Sequence, residues 1–593
     1  MNRLPCFRRS RRSRRSTGSP LTSVTPSHLA QLAGRAGIVA LGAVAGLGAP
    51  ASAVMPVAPA KPPVIEGKAL AASIRYLSSD ALEGRGPGSP GDRDARSFLA
   101  AELAKAGLEP GGTGGTWEQP FPMIGITSKP PATWTFSGPQ GKVDLAQWDE
   151  FIAASGVQAT AATLTGAEVV FVGYGIQAPE FDWDDFKGVD LKGKVLLMLN
   201  NDPDWDPALF AGRERLYYGR WSYKYESAAR QGAAGAIIVH TTPSAGYPFQ
   251  VVQTSWSGEQ FELPAGSEPR LEVRSWVTEE AAQKILALSG KSLADLVAAA
   301  QTKAFRPVPL GVRTSLALTN GLRQVETANV AGLLPGSDPV LKNEVVIYTA
   351  HHDHLGIGAP DKKGDKIYNG AVDNASGCAE VLEIARALAA NPQHPRRSML
   401  FLFVAAEEQG LLGSKYYATH PTFAPGKIAA DINVDSANIY GRTTDIAFVG
   451  RGKSSLDKVV EAVAARQELQ VLGDQAPEKG SFYRSDQFSF AHIGVPAIYL
   501  KSGEQFVGDA KTAAEAKARK DAYDATCYHQ PCDEIGPEWN FDGMIQQTQF
   551  ALACGLEIAN ATPMPEWTPG NEFEATRKKA LLEAGTPVNS GKK

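Results

Sequence analysis

From residue 326 onward, short and wholly apolar segments alternate with longer amphipathic ones, and this alternation constrains the fold more than any other feature. The strand-like EVVIYTA (344–350) precedes a helical pattern over 375–390, and SMLFLFVAA (398–406) precedes one over 410–420. Strands follow at 428–435 and 445–450, a helix at 454–467, a strand at 495–500 and a long helix at 542–561. Strands without a polar face are buried on both sides. The expected fold is therefore α/β, with a mixed central sheet flanked by helices on both faces.

A chain of 593 residues exceeds what one hydrophobic core serves. Residues 66–144 read as a first part of the same domain, with helical spacing over 66–85 and again over 92–108. Between them, GRGPGSPG (84–91) has the glycines of a phosphate loop, but no strand precedes it and two prolines interrupt it, so that reading is rejected. The texture changes over 145–325, where strands at 167–176 and 193–200 and a helix–turn–strand over 219–241 suggest an inserted β-rich domain without catalytic residues. The aspartates of DPDWDP (202–207) have calcium-loop spacing, but Pro207 stands where such a loop needs glycine, which leaves a turn. Residues 566–593 are polar and lysine-rich, and a disordered tail is expected there.

Residues 1–53 carry eight arginines and no acid, and without them the net charge moves from −4 to −12. An acidic body argues against a nucleic-acid partner. The basic start leads into AGIVALGAVAGLGA (36–49) and then Ala51-Ser52-Ala53, the pattern of a secretory signal peptide followed by a Pro-rich linker at 54–65. The apolar run falls short of the about 20 residues a membrane span needs, so the mature chain is expected to be exported, periplasmic or secreted, with no span. The paired arginines raise a twin-arginine route, but the hydrophobic pair that usually follows them is missing. Beyond the signal, Cys378, Cys527, Cys532 and Cys554 are too few for a disulfide scaffold, and the close Cys527 and Cys532 are either bridged or free.

Ligands in open α/β sheets bind at the carboxyl ends of the strands. There the sequence sets His351-His352-Asp353-His354, Glu407-Glu408 and Asp435, with Asp373 in a loop before a helix and His529 in CYHQPCDE (527–534). Each alone has an ordinary explanation: a solvated histidine loop, a surface carboxylate pair, a helix cap. Together they would place several charges at buried strand ends, which is costly unless a cation offsets them. Imidazole and carboxylate without thiolate suits zinc, and two ions could share one carboxylate. Glu407, beside Glu408, is placed to take a proton from a water.

The elements AHHDHLG, NGAVDNASG, AAEEQGLLGS, NVD and YHQPCDE, in this order, resemble the di-zinc exopeptidases: the bacterial leucyl-type aminopeptidases and the glutamate carboxypeptidases. The resemblance covers 326–565 as a catalytic domain, and 145–325 resembles the protease-associated domain inserted in such enzymes. It implies two zinc ions held by His351, Asp373, Glu408, Asp435 and His529, with Asp373 bridging, His351 and Asp435 on one ion, and Glu408 and His529 on the other. It implies Glu407 as general base, Asp353 orienting the His351 ring, and a cis bond between Asp373 and Asn374. Tyr528 would donate to an oxyanion or simply pack. Arg484 would hold a substrate carboxylate or pair with Asp486, and pairing is the expectation. His352 and Val372 depart from the tyrosine and aspartate common in the family, but neither is a ligand position. The implied function is an aminopeptidase acting on peptides. The alternatives are a carboxypeptidase of the same fold, a receptor-like protein without catalysis, and a single-zinc cyclase of the glutaminyl type. His352 and His354 are expected to pack or line the cleft.

Overall fold

A computed structural model describes residues 64–206 and 209–586. The signal peptide and linker expected before residue 64 lie outside them, as do residues 587–593. Among the described residues no helix is long and apolar enough to cross a membrane.

Helices α1 (Gly67–Leu77) and α2 (Pro90–Lys105) open the described chain. Ser89 caps α2 by accepting the Asp92 N–H, with Pro90 at the first helical position. Strand β1 (Glu118–Lys129) follows, then β2 (Ala161–Phe171), β3 (Val195–Leu199), helix α3 (Trp221–Arg230), β4 (Gly235–His240) and β5 (Val273–Thr278). Strands β2, β3, β4 and β5 are parallel neighbours in that order.

Strand β6 (Val308–Leu334) is 27 residues long and ties the chain together. Its first part pairs antiparallel with β2, its middle with β1, and its end with β8 (Ser398–Val404), which follows β7 (Val345–His351). The strand passes residue 325 without interruption, and the hairpin Thr133–Gly138 and Gly141–Ala146 already pairs with it before residue 145.

The central sheet is completed by β9 (Ile428–Val434), β10 (Asp445–Val449) and β11 (Ala497–Ser502). Its order is β6-β8-β7-β9-β11-β10, with β8, β7, β9 and β11 parallel, β6 antiparallel to them on one side and β10 on the other, where the short strand Gln470–Leu472 pairs parallel with β10. Every residue of β7, β8 and β9 is buried. Side chains alternate between the faces. Val346, Tyr348 and Ala350 pack with Leu70 and Ile74 of α1, with α4 (Gly377–Ala389), and with α6 (Phe541–Asn560). Val345 and Ile347 pack on the other face with Tyr417 of α5 (Leu412–Thr419) and with Phe490. The α/β fold with both sheet faces covered is as expected.

The tail is not disordered through residue 586. Trp567 and Phe573 are buried, and α7 (Glu574–Glu583) buries Leu581 fully. Arg577, 1 % exposed, donates to the carbonyls of Pro565, Ile428 and Ala429. Few apolar residues sufficed because each lands in the core, and a buried guanidinium supplies the rest. All described residues belong to one compact unit.

Candidate metal centre

Parallel strands β7, β8 and β9 end side by side, so their carboxyl ends bring the candidate residues together. His351 closes β7, Glu407 and Glu408 follow β8, and Asp435 follows β9. Asp373 sits in the turn 371–376 that starts α4, and its bond to Asn374 is cis. His529 lies in a short loop closed by a Cys527–Cys532 disulfide. Ala406, Ser436 and His529 all have positive φ, so three strained turns surround the cluster.

The five residues converge. His351 Nε2 lies 3.1 Å from Asp373 Oδ1 and 3.5 Å from Asp435 Oδ1. His529 Nε2 lies 3.1 Å from Asp373 Oδ2 and 3.2 Å from Glu408 Oε2. Asp373 thus offers one oxygen to each half. His351, Asp373 and Asp435 form one group able to hold a cation, and His354, Asp373 and Glu408 form a second. His354, expected to pack or line the cleft, sets its Nδ1 2.8 Å from Glu408 Oε1.

Electrostatics fit a cation. Burial alone would lower the His351 pKa, but hydrogen bonds to Asp353, Asp373 and Asp435 raise it well above the usual histidine range. His529 is likewise raised to about 11, with Glu408 and Asp373 outweighing burial. Burial raises Glu407 well above the usual carboxylate range, and neighbouring Asp486, Glu408 and Asp435 push the same way against His351. The side chains of Asp373 and Glu408 are each 5 % exposed. Buried carboxylates in this number need divalent charge or protons, and a cation that binds displaces the protons from the imidazoles. The nitrogen and oxygen donors suit zinc.

The surrounding residues act differently from some expectations. The His351 ring meets the Asp353 backbone carbonyl (3.2 Å) more closely than its carboxylate (3.7 Å). The Asp353 carboxylate instead accepts the N–H groups of Glu407 at 3.0 Å and Glu408 at 3.3 Å. His352 Nε2 is 3.0 Å from the buried Asp92 and faces away from the cluster, into the seam with α2. Arg484 does not pair with Asp486. Asp486 is fully buried, where desolvation pushes it up to about 7, while Arg484 is exposed. Tyr528 is 51 % exposed and stacks on His529 at 4.0 Å between centroids.

Several residues were not foreseen. Ser485 donates to Asp435 Oδ2 at 2.6 Å. Asp533 accepts the N–H groups of Val372 and Asp373 at 2.9 and 3.1 Å and so fixes the turn that carries Asp373. Arg85, 1 % exposed, donates to the carbonyls of His352, Asn369, Gly370 and Leu77. The glycine-rich stretch thus braces the cluster. At Gly84 a Cβ would come within 2.4 Å of the Tyr368 carbonyl, and φ is +67°. The signal for Arg85 was a lone arginine inside a glycine run, a pattern that serves close backbone approach as well as phosphate binding.

Residues 329–553 match the model of peptidase family M28, a stretch that contains all the candidate ligands. The leupeptin-inactivating enzyme 1 of Streptomyces exfoliatus is 31% identical over 252 residues, which are 41% of this chain and 50% of that protein. An aminopeptidase of Pseudomonas aeruginosa (strain UCBPP-PA14) is 31% identical over 231 residues, 36% of this chain and 38% of the other. The chain therefore spans half or less of the length of these relatives. Among solved structures, an aminopeptidase from Aneurinibacillus sp. strain AM-1 is similar with a TM-score of 0.46 at 19% identity, covering 84% of this chain and 95% of the other.

Proposed function

We propose that the protein is an exported zinc-dependent aminopeptidase that removes N-terminal residues from peptides. The observation that carries this reading is the shared Asp373, 3.1 Å from His351 on one side and from His529 on the other. In this reading His351, Asp373 and Asp435 hold one zinc ion, and Asp373, Glu408 and His529 hold a second. Bound zinc supplies Lewis acidity, polarising a carbonyl and acidifying a water. Glu407 takes the proton from the attacking water on its carboxylate and returns it to the leaving amine. Its burial keeps its basicity high enough for that task. Asp353 sets the Glu407 and Glu408 backbone, and Ser485 and His354 hold the free oxygens of Asp435 and Glu408. Tyr528, exposed beside His529, is available to donate to an oxyanion. The 145–325 segment is read as the protease-associated insertion.

The names of the relatives, one an aminopeptidase, support the N-terminal specificity. A carboxypeptidase on the same scaffold is favoured by one observation, the exposed Arg484 next to Ser485.

The test is hydrolysis of a panel of aminoacyl p-nitroanilides by the wild type and Glu407→Gln, with and without chelator. The wild type should cleave and lose activity to chelator. Glu407→Gln should keep its zinc and lose about 10²–10⁴-fold in kcat. Release of C-terminal residues without anilide cleavage would instead establish the carboxypeptidase. Unchanged activity in Glu407→Gln would remove Glu407 from the mechanism.

A further inference from the structure

The five candidate ligands are not held alike. The side chains of His351, Asp373, Glu408 and Asp435 are at most 15 % exposed, and each stands at a strand end or on the turn that Asp533 fixes. His529 is 34 % exposed and stands on no strand. Its backbone is left-handed at φ +58°, a conformation that a non-glycine residue keeps when its surroundings impose it. The main-chain hydrogen bonds around it are local. The Cys527 and Tyr528 N–H groups donate to the Tyr523 carbonyl at 2.9 and 3.0 Å, and the Gln530 N–H donates to the Cys527 carbonyl at 3.0 Å. Upstream, the helix Ala510–Thr526 buries only Ala516, against a small apolar cluster of Val372, Ile439, Tyr440 and Phe506. Downstream, the chain is fixed again at Asp533, whose carbonyl accepts the Ala371 N–H at 3.0 Å. Between these ends the Cys527–Cys532 disulfide closes the loop over His529. Cys532 is exposed and Cys527 half-buried, so a thiol reagent reaches the bond, whereas the free thiols Cys378 and Cys554 are buried.

A cross-link removes open conformations from a loop, and cutting it returns them. A ligand drawn from an open loop is ordered by the metal itself, at the expense of affinity. The other half of the centre, His351, Asp373 and Asp435, does not depend on this loop. Donors also remain in the second half, where His354 Nδ1 is 2.8 Å from Glu408 Oε1 and groups with Asp373. Opening the loop therefore weakens one cation position and spares the other.

We infer that Cys527 and Cys532 form a thiol–disulfide exchange site whose oxidation completes the second cation position. With the pair reduced, the chain holds one cation tightly at His351, Asp373 and Asp435 and a second one weakly. A disulfide carrier takes two electrons and two protons from the two thiols; the Cys527–Cys532 bond forms, the carrier's S–S bond breaks, and the carrier leaves as two thiols. Thiols stay reduced in the cytosol and pair in oxidising compartments, so export would switch the peptidase on. That consequence rests on the zinc-peptidase and export readings, while the coupling of the disulfide to His529 does not.

Hydrogen exchange read by mass spectrometry on the metal-free full-length protein tests the coupling. Reduction uses a phosphine, since a thiol would itself ligate zinc. It should speed exchange in peptides covering 523–533 by about tenfold or more and leave those of β7, β8 and β9 unchanged. Zinc competition against a chromophoric chelator tests the consequence. After reduction the second zinc should bind about 10–100-fold more weakly and the first nearly as before, and oxidised glutathione should restore both. Cys527→Ser/Cys532→Ser should match the reduced wild type and ignore the reductant, while His529→Ala marks the affinity of a second position without that ligand. Unchanged exchange over 523–533, unaltered zinc affinities in the reduced or double-serine protein, or an equal loss at both positions would overturn the inference. If the oxidised wild type binds fewer than two zinc ions, the two-ion reading falls and the exchange arm alone decides whether the disulfide sets His529.

Discussion

The fully buried Asp353 carboxylate accepts two backbone N–H groups, those of Glu407 and Glu408. Asparagine has one acceptor oxygen, so Asp353→Asn leaves one of those N–H groups facing an amide NH2. An unsatisfied buried donor costs about 1–3 kcal/mol, and loss of such support at a metal site costs about 10–100-fold in activity or metal affinity. Activity should fall by that factor at saturating zinc, with the fold intact by circular dichroism. His352→Ala differs in kind. It removes one partner of the buried Asp92, which keeps Thr327, the Gly88 N–H and Arg96, so stability should drop by about 1–3 kcal/mol in urea denaturation while kcat of the folded protein changes far less. Four adjacent residues in the sequence thus part into cluster, brace and seam. The periodicity that identified β7 also predicted that His351 ends it, but not what its neighbours touch, since that depends on α2 and on the loop after β8. Glu572 illustrates a charge the sequence could not mark. Burial pushes it up to about 7, with Tyr483 donating to it at 2.5 Å. Its folded pKa is above the unfolded value, so its contribution is fully present below about pH 4.5 and is lost as pH rises through 7. Glu572→Gln should therefore melt higher than wild type at pH 8, by about 1–3 kcal/mol, and equally at pH 4.5.

At the scale of elements, wholly apolar strands were legible because burial on both faces leaves a pattern that needs no partner to be read. Elements that rely on few contacts were not. The helix Ala510–Thr526 buries only Ala516 and begins at an Asp509 cap that accepts the Thr512 N–H at 2.8 Å, so no apolar stripe announces it. Helix α7 was hidden for a related reason: its anchor is Arg577, a residue that composition counts as surface. That guanidinium satisfies carbonyls at the start of β9 and in the segment before α7. Arg577→Met keeps most of the volume but strands those acceptors, so it should destabilise by about 2–4 kcal/mol in urea denaturation. A chain ending at residue 565 should lose more, since Trp567, Phe573 and Leu581 leave the core with it.

Across the whole molecule, the change in texture near 145 and 325 suggested a detachable insertion, yet β6 crosses the second position as one strand. Its residues 308–319 pair with β2, 319–330 with β1, and 330–334 with β8 of the central sheet. A second seam joins the same parts. The ring of Tyr217 packs on Phe488 at 4.7 Å, the Arg215 N–H donates to the Pro477 carbonyl at 3.1 Å, and Lys453 pairs with Glu214 at 2.7 Å. One apolar cluster runs through both, from Val169 and Ile237 to Phe482 and Phe573. Composition revealed the change but not the continuity, because a strand of alternating burial looks the same whether its partners lie in one unit or two. Parts coupled through a shared strand and a shared core should unfold together. The ten tryptophans give a means to see it: eight lie between residues 117 and 276, so fluorescence follows the 145–325 side. The proposed zinc-dependent activity follows the strand ends of β7, β8 and β9. In a urea series the two signals should fall at the same midpoint, with a single calorimetric transition at matched conditions. A fluorescence transition clearly separated from the loss of activity would mean that β6 is a hinge between independent domains.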